Sequence, residues 1–202
     1  MVSNTPRLTS ALRQAEIIDA ALRLAQERSP ALITTTDIAQ AVGVTQGALF
    51  KHFDNKDALW LAAMEWVREH LMARIEAAAS DSNDPLDALE KVFDAHVDFA
   101  AQHPGVPRLI FHELQQPAES PLKESVRGLM KSYRQLLLGL IKQAVQSGQI
   151  AAELDAPAAA TLFVGILQGL VMQSMISGHV STLRTEAPRV FALYMRSLRQ
   201  PS

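Results

Sequence analysis

TTTDIAQAVGVTQGALFKHF, Thr34 to Phe53, is the stretch on which the reading of the whole chain turns. Thr34 followed three residues later by Asp37 is a variant of the capping box, in which a hydroxyl and an acid satisfy the exposed N–H groups of a helix start. A helix therefore begins near Thr35. Ile38, Ala39 and Val42 place apolar atoms at helical spacing, and Gly43 offers the left-handed conformation that ends a helix. This first helix is about two turns long. Val44 enters the turn as an apolar anchor, Thr45 is a good N-cap for a second helix, and Leu49 with Phe53 makes its buried side. Gln46, Gly47, Ala48, Phe50, Lys51 and His52 are left for the outer surface or its edges. Two short helices meeting at a glycine turn form a helix-turn-helix, whose second helix lies in the major groove of DNA with its N-terminal residues against base edges.

The local charge agrees with this reading and the global charge is silent on it. Between Ile38 and Phe53 there is no acidic residue, so this surface can approach phosphates without repulsion. The whole chain of 202 residues carries 19 basic and 21 acidic side chains, a net charge of -2, and gives no electrostatic argument for nucleic acid. With no cysteine there is no disulfide and no thiolate metal site, as befits a reducing cytoplasm. The N-terminus, MVSNTPRLTS, has no apolar core of signal-peptide length, and no run approaches the ~18 apolar residues of a membrane helix. The richest stretch, Leu162 to Ile176, is broken by Gly165, Gln168, Gly169, Gln173 and Ser174. The expectation is a soluble, cytoplasmic protein without a membrane partner.

Outward from the motif the chain reads as helices throughout. Met1 to Leu8 is an arm whose Arg7 could reach a phosphate. A first helix from about Thr9 to Arg28 carries Ile17, Ala20, Ala21 and Leu24 on one side, and Pro30 ends it. Asp54 and Asp57 repeat the capping pattern before a long fourth helix reaching about Ala79, with the stripe Trp60, Met64, Val67, Leu71 and Ile75. Asp84 and Pro85 open a fifth, which buries Leu86, Leu89, Phe93, His96 and Ala100 and closes at His103, Pro104 and Gly105. A short sixth spans Pro107 to Gln115. Ser120 and Pro121 open a seventh that Gly148 stops, striped with Leu122, Val126, Leu129, Tyr133, Leu136 and Leu140. Asp155 caps an eighth that Gly178 ends, and a ninth runs from about Leu183 to Arg199, with Val190 among its buried side chains. No segment alternates with period two over strand length, so the fold class is all-α. In the eighth helix Gly165 and Gly169 lie four apart. Each glycine costs a helix roughly 1 kcal/mol against alanine, so the pair implies close approach of another backbone, from this chain or from a second copy.

Gly43 to Leu59, GVTQGALFKHFDNKDAL, resembles the helix-turn-helix signature of the TetR family of bacterial transcription repressors. The glycine-valine turn, the short recognition helix, the His-Phe pair and the lysine opening the next helix carry the likeness, and Arg13, Ile17, Ala20, Ala21 and Leu24 extend it upstream. Phe50 departs from it, because the family usually has a tyrosine there whose hydroxyl touches a phosphate. The resemblance implies an N-terminal three-helix helix-turn-helix domain, 1–55, and a C-terminal helical effector-binding and dimerisation domain, 56–202. It implies that the last two helices pair with their copies in a homodimer, and that helices four to eight enclose a pocket for a small-molecule effector.

The expected function is that of a ligand-responsive transcriptional regulator, by family habit a repressor, binding a palindromic double-stranded DNA operator. Gln46 and Lys51 are candidates for base edges and Ala48 for a thymine methyl, while Thr36, Thr45, His52 and Lys56 hold the backbone. Gly47 and Phe50 complete that surface. Candidates for the effector pocket are Trp60, Met64, Phe93, His96, His112, Tyr133, Phe163, Gln168 and Met172, the alternative for each being ordinary core packing. His96 and Gln168 each need a hydrogen-bond partner if buried. Gly165, Gly169, Phe191, Tyr194 and Leu198 are the dimer candidates. No catalytic constellation, phosphate loop, metal-ligand spacing or cofactor motif stands out, and an enzyme is not expected. The competing reading is a small-molecule binding or carrier protein with a vestigial helix-turn-helix.

Overall fold

The capping box is present as the spacing predicts. In the computed structural model, which describes residues 9–199, the Thr34 hydroxyl accepts from the Asp37 N–H at 3.1 Å and the Asp37 carboxylate accepts from the Thr34 N–H at 2.8 Å. That backbone donor is the main reason the Asp37 carboxyl titrates below its usual range. Arg7 and the arm around it lie outside the described residues. Helix α1, Ser10–Glu27, precedes a 3-10 turn at Pro30–Leu32, and α2, Thr35–Ala41, follows the box. Gly43 takes φ 68 in the turn. Helix α3, Gln46–Leu49, begins at Thr45, whose hydroxyl accepts from the Ala48 N–H at 3.2 Å.

The remaining helices are α4, Lys56–Ser80; α5, Pro85–Gln102; α6, Gly105–Leu114; α7, Pro121–Gln146; α8, Ala156–Ser177; and α9, Ser181–Leu198. The described residues contain these nine α-helices and no strand. Local caps explain most starts and stops. Asp84 accepts from the Leu86 and Asp87 N–H groups, Asp155 accepts from Ala158, and Gly148 and Gly178 both take φ 73. At α4 the expected Asp54 cap is corrected: Asn55 Oδ1 accepts from the Ala58 N–H at 2.8 Å, placing the cap directly before Lys56. Helix α6 starts two residues earlier than expected, at Gly105, for a reason that lies in α1 and not in its own sequence. In the α7 stripe Leu137 joins Leu122, Leu129 and Leu140 in the core, whereas Leu136 is half-buried. Val190 is also only half-buried, and Pro188 lies inside α9.

Contacts divide the chain into two units. The first holds the described residues up to Trp66 and His103–Ser125; in it α1 packs on α2 and α6, and α2 on α3. Ile17, Ile38, Leu49 and Leu59 are fully enclosed there. The second holds Val67–Gln102 and the chain from Val126 onward, with α5, α8 and α9 packed on one another. Helices α4 and α7 contribute to both. The α4 stripe Trp60, Met64, Val67, Leu71 and Ile75 is buried along its length, each such side chain contributing about 1.5–3 kcal/mol.

Helix α8 corrects one sequence expectation. It is the one helix among the described residues long and apolar enough to cross a membrane, with a mean hydropathy of 1.6 over its most apolar window. The glycines, glutamines and serine that break the apolar run lower the average too little to matter. A single helix of this kind is weak evidence for a membrane, and its Phe163, Leu167 and Leu170 are buried within the protomer.

Candidate nucleic-acid interface

Leu49 and Phe53 are buried, and that rotation decides what α3 shows to solvent. Gln46, Gly47, Phe50 and Lys51 are exposed, with Ala48 and His52 half-buried at the edge. Thr45 and Thr36 are exposed as well, at the start of α3 and in the first turn of α2. Nothing lies within 4 Å of a Cβ built on Gly47, so a neighbouring backbone can come close at this point. The chain continues as helical turns past Leu49, with the His52 N–H donating to the Leu49 carbonyl at 2.9 Å. The reading face is short, free of acids and rigidly capped.

Several of these side chains are held in place. Gln46 Nε2 donates to the Thr35 hydroxyl at 2.7 Å, which orients its amide across the gap between α3 and α2. His52 Nδ1 lies 3.3 Å from the Ser10 hydroxyl, and the His52 carbonyl accepts from Gln14 Nε2 at 3.3 Å. Lys56 Nζ donates to the Ala31 carbonyl at 3.2 Å, joining the Pro30–Leu32 turn to the first turn of α4. Ser10, Arg13, Lys51 and His52 line a hollow of about 430 Å³ beside α3. Arg13 meanwhile pairs with Glu16 at 2.8 Å. Ser10, Gln14 and Thr35 were missed by sequence reasoning, because their importance comes from helices that approach only in the fold. Their one sequence signal is polarity near the two N-caps.

The ligand candidates do not converge on one place. Phe93, Tyr133 and Phe163 are fully buried and stack on one another and on Phe191 and Tyr194, with Phe93 and Phe191 centroids 4.5 Å apart. His96 Nδ1 lies 3.0 Å from the Tyr133 hydroxyl, so that histidine has a side-chain partner. Part of the residue reaches the surface, yet its ring is enclosed enough that desolvation pulls its pKa down to about 4. Desolvation likewise pushes the Tyr133 and Tyr194 hydroxyls up, and Tyr194 donates to the Ala159 carbonyl at 3.2 Å. Met64 is enclosed core, while Gln168 and Met172 are exposed. Trp60 and His112 belong to the first unit, where they line a cavity of about 590 Å³.

The dimer candidates also separate. Gly165 and Gly169 are exposed, and a Cβ on either meets nothing within 4 Å, so no backbone of this protomer approaches them. Leu162, Met172 and Ile176 extend the same face, 50%, 39% and 71% exposed. Phe191, Tyr194 and Leu198 instead turn into the core of their own protomer. Among the described residues no group of three His, Cys, Asp or Glu side chains is placed to hold a metal ion.

A capped helix-turn-helix with an acid-free exposed recognition helix, on an all-helical body, defines a DNA-binding transcriptional regulator. The sequence model described as "Bacterial regulatory proteins, tetR family" matches residues 17–63, and that of "Tetracyclin repressor-like, C-terminal domain" matches 110–187. The chain belongs to the TetR family. It is similar to the nucleoid occlusion factor SlmA of Marinomonas sp. (strain MWYL1), 23% identical over 159 residues, 79% of this chain and 81% of that one. SlmA of Vibrio cholerae serotype O1 is 28% identical over 130 residues, 62% of this chain and 66% of its own. The fold is similar to that of the transcriptional regulator FadR from Bacillus subtilis in complex with stearoyl-CoA, with a TM-score of 0.78 at 22% identity over 90% of this chain and 97% of that one. It is equally similar to the ketosteroid transcriptional regulator KstR2 of Mycobacterium tuberculosis, with a TM-score of 0.78 at 20% identity over 94% and 96%.

Proposed function

We propose that this regulator binds a palindromic operator as a homodimer, in the cytoplasm, and that a small-molecule effector releases it. Residues 1–55 serve as the reading head, and 56–202 as the effector and dimerisation domain. The observation that carries the reading is the acid-free exposed face of α3, with Gln46 and Lys51 for base edges and Thr36, Thr45, His52 and Lys56 for phosphates. One recognition helix touches only a few base pairs, so specificity needs a second copy related by a two-fold axis. The open stripe of Leu162, Gly165, Gly169, Met172 and Ile176 on α8 supports a face for that copy, and Leu193 on α9 is 59% exposed. An isolated stripe of this kind on a soluble surface marks an interaction site.

The test is stoichiometry. Sedimentation of the protein with a duplex selected from a random pool should give two chains per palindromic site, or a multiple of two. A single chain bound to a half-site at saturation would contradict the dimeric reading.

A further inference from the structure

Gln46 is the first residue of α3 and Thr35 the first of α2, and both helix starts are fixed by caps, the Thr45 hydroxyl on the Ala48 N–H and the box of Thr34 and Asp37. Thr35 is half-buried, and its β-branched side chain has few rotamers open to it. Its hydroxyl takes one N–H of the Gln46 amide at 2.7 Å. A primary amide has two N–H donors and one oxygen acceptor, so one N–H and Oε1 remain, held in the amide plane. Among the described residues they have no partner, and Gln46 is exposed on the acid-free face of α3. Turning the amide over would put Oε1 at the Thr35 hydroxyl and leave two donors outward, which is not the arrangement found.

We infer that this oriented amide reads the N6–N7 edge of one adenine in each half-site, and that methylation of that adenine at N6 therefore blocks binding. The inference rests on the reading of α3 as the recognition helix of an operator-binding regulator. In the major groove adenine shows a donor, N6–H, beside an acceptor, N7; guanine shows two acceptors, cytosine a donor alone, and thymine an acceptor beside a methyl. A fixed pair of one donor and one acceptor finds both partners only on adenine. Oε1 accepts from N6–H, and the remaining amide N–H donates to N7. Guanine would set its O6 against Oε1, two acceptors with no proton between them. In a paired N6-methyladenine the one N6–H left is held by thymine O4 and the methyl lies in the major groove, so Oε1 loses its donor and meets a methyl instead. Thr35 acts as a positioning residue, holding a flexible side chain in the reading pose before DNA arrives.

Selection from a random duplex pool by the full chain and by Gln46→Ala tests the assignment, since the base pair read by Gln46 is the one whose preference disappears in the variant. Adenine should stand there. Replacing it in one half-site by 7-deazaadenine, which lacks the N7 acceptor, or by N6-methyladenine should weaken the unsubstituted protein about tenfold or more and leave Gln46→Ala unaffected. Thr35→Val should weaken binding about threefold with adenine still preferred, and should cost nothing further in the Gln46→Ala background. Another base at that position, tolerance of both modified adenines, or a selected sequence unchanged in Gln46→Ala overturns the base assignment. Equal losses from Thr35→Val in both backgrounds overturn the positioning role of Thr35. If the folded protein selects no sequence at all, the regulator reading falls and takes the assignment with it.

Discussion

Gly105 rests on the backbone of Leu22: a Cβ added to it would lie 1.9 Å from the Leu22 carbonyl oxygen and 3.0 Å from the Gln26 nitrogen. Both helices belong to the first unit, so α6 is seated on α1 through a contact that only glycine permits.

Gly105→Ala should therefore destabilise the protein by about 1–3 kcal/mol or more, since backbone cannot give way as a side chain can. Gly128→Ala, in α7 where a Cβ meets nothing within 4 Å, is the control, and should be neutral or stabilising by up to ~1 kcal/mol. Urea denaturation of the two variants checks the contrast. Similar behaviour of both would remove the close contact from the account.

Gly169→Leu should break the dimer while leaving the protomer folded. The position is open within the protomer, so leucine is tolerated there and improves helix propensity by roughly 1 kcal/mol. Across a closely packed two-fold interface the same side chain would collide with its partner. Sedimentation should show a shift to half the mass with unchanged helicity, and a variant that stays dimeric would place the interface on another face.

His96 should make the second unit sensitive to acid. Its folded pKa of about 4 lies below the usual 6.5, so between these values the unfolded chain binds the proton and the folded chain does not. The stability is complete above pH 6.5 and is lost as pH falls towards 4. The loss amounts to up to about 3 kcal/mol, less any contribution water makes at the partly open ring. His96→Phe should flatten this part of the stability profile. Tyr133→Phe should keep the slope, because desolvation and not the hydroxyl causes the shift.

Gln46→Ala should relax preference at one or two base pairs, whereas Lys56→Ala should weaken binding to every sequence and reduce the salt slope by about one. The Thr35 hydroxyl takes one N–H of the Gln46 amide and orients it, so Thr35→Val should alter affinity without altering the preferred sequence. Binding measured over a base-substituted operator series separates these outcomes. Uniform losses for both Gln46→Ala and Lys56→Ala would contradict the division of labour.

The parts of this molecule legible in its sequence are those fixed by chemistry within a few residues. Thr34 and Asp37, Gly43, Thr45, Asp84 with Pro85, and Asp155 with Gly178 each satisfy or end a helix locally, and each occupies its expected position. Asn55 does not stand out in the sequence as the α4 cap, because Asp54 beside it offers the same chemistry. Gly105 reads in sequence as a helix end, since nothing nearby reveals that Leu22 lies beneath it. His96 and Tyr133 were both singled out, but their pairing spans 37 positions and belongs to tertiary packing. The exposed face of α3 could be read from the spacing of Leu49 and Phe53, whereas the cavity beside Trp60 and His112 depends on the path of the chain from α6 to α7.

Selection of random double-stranded DNA by the purified protein, followed by binding of the selected sequence across a salt series, tests the central claim most directly. The account predicts an enriched palindrome whose affinity falls steeply with salt, as several phosphate contacts on each half-site require. Absence of any enriched sequence at low salt, with the protein folded, would contradict it.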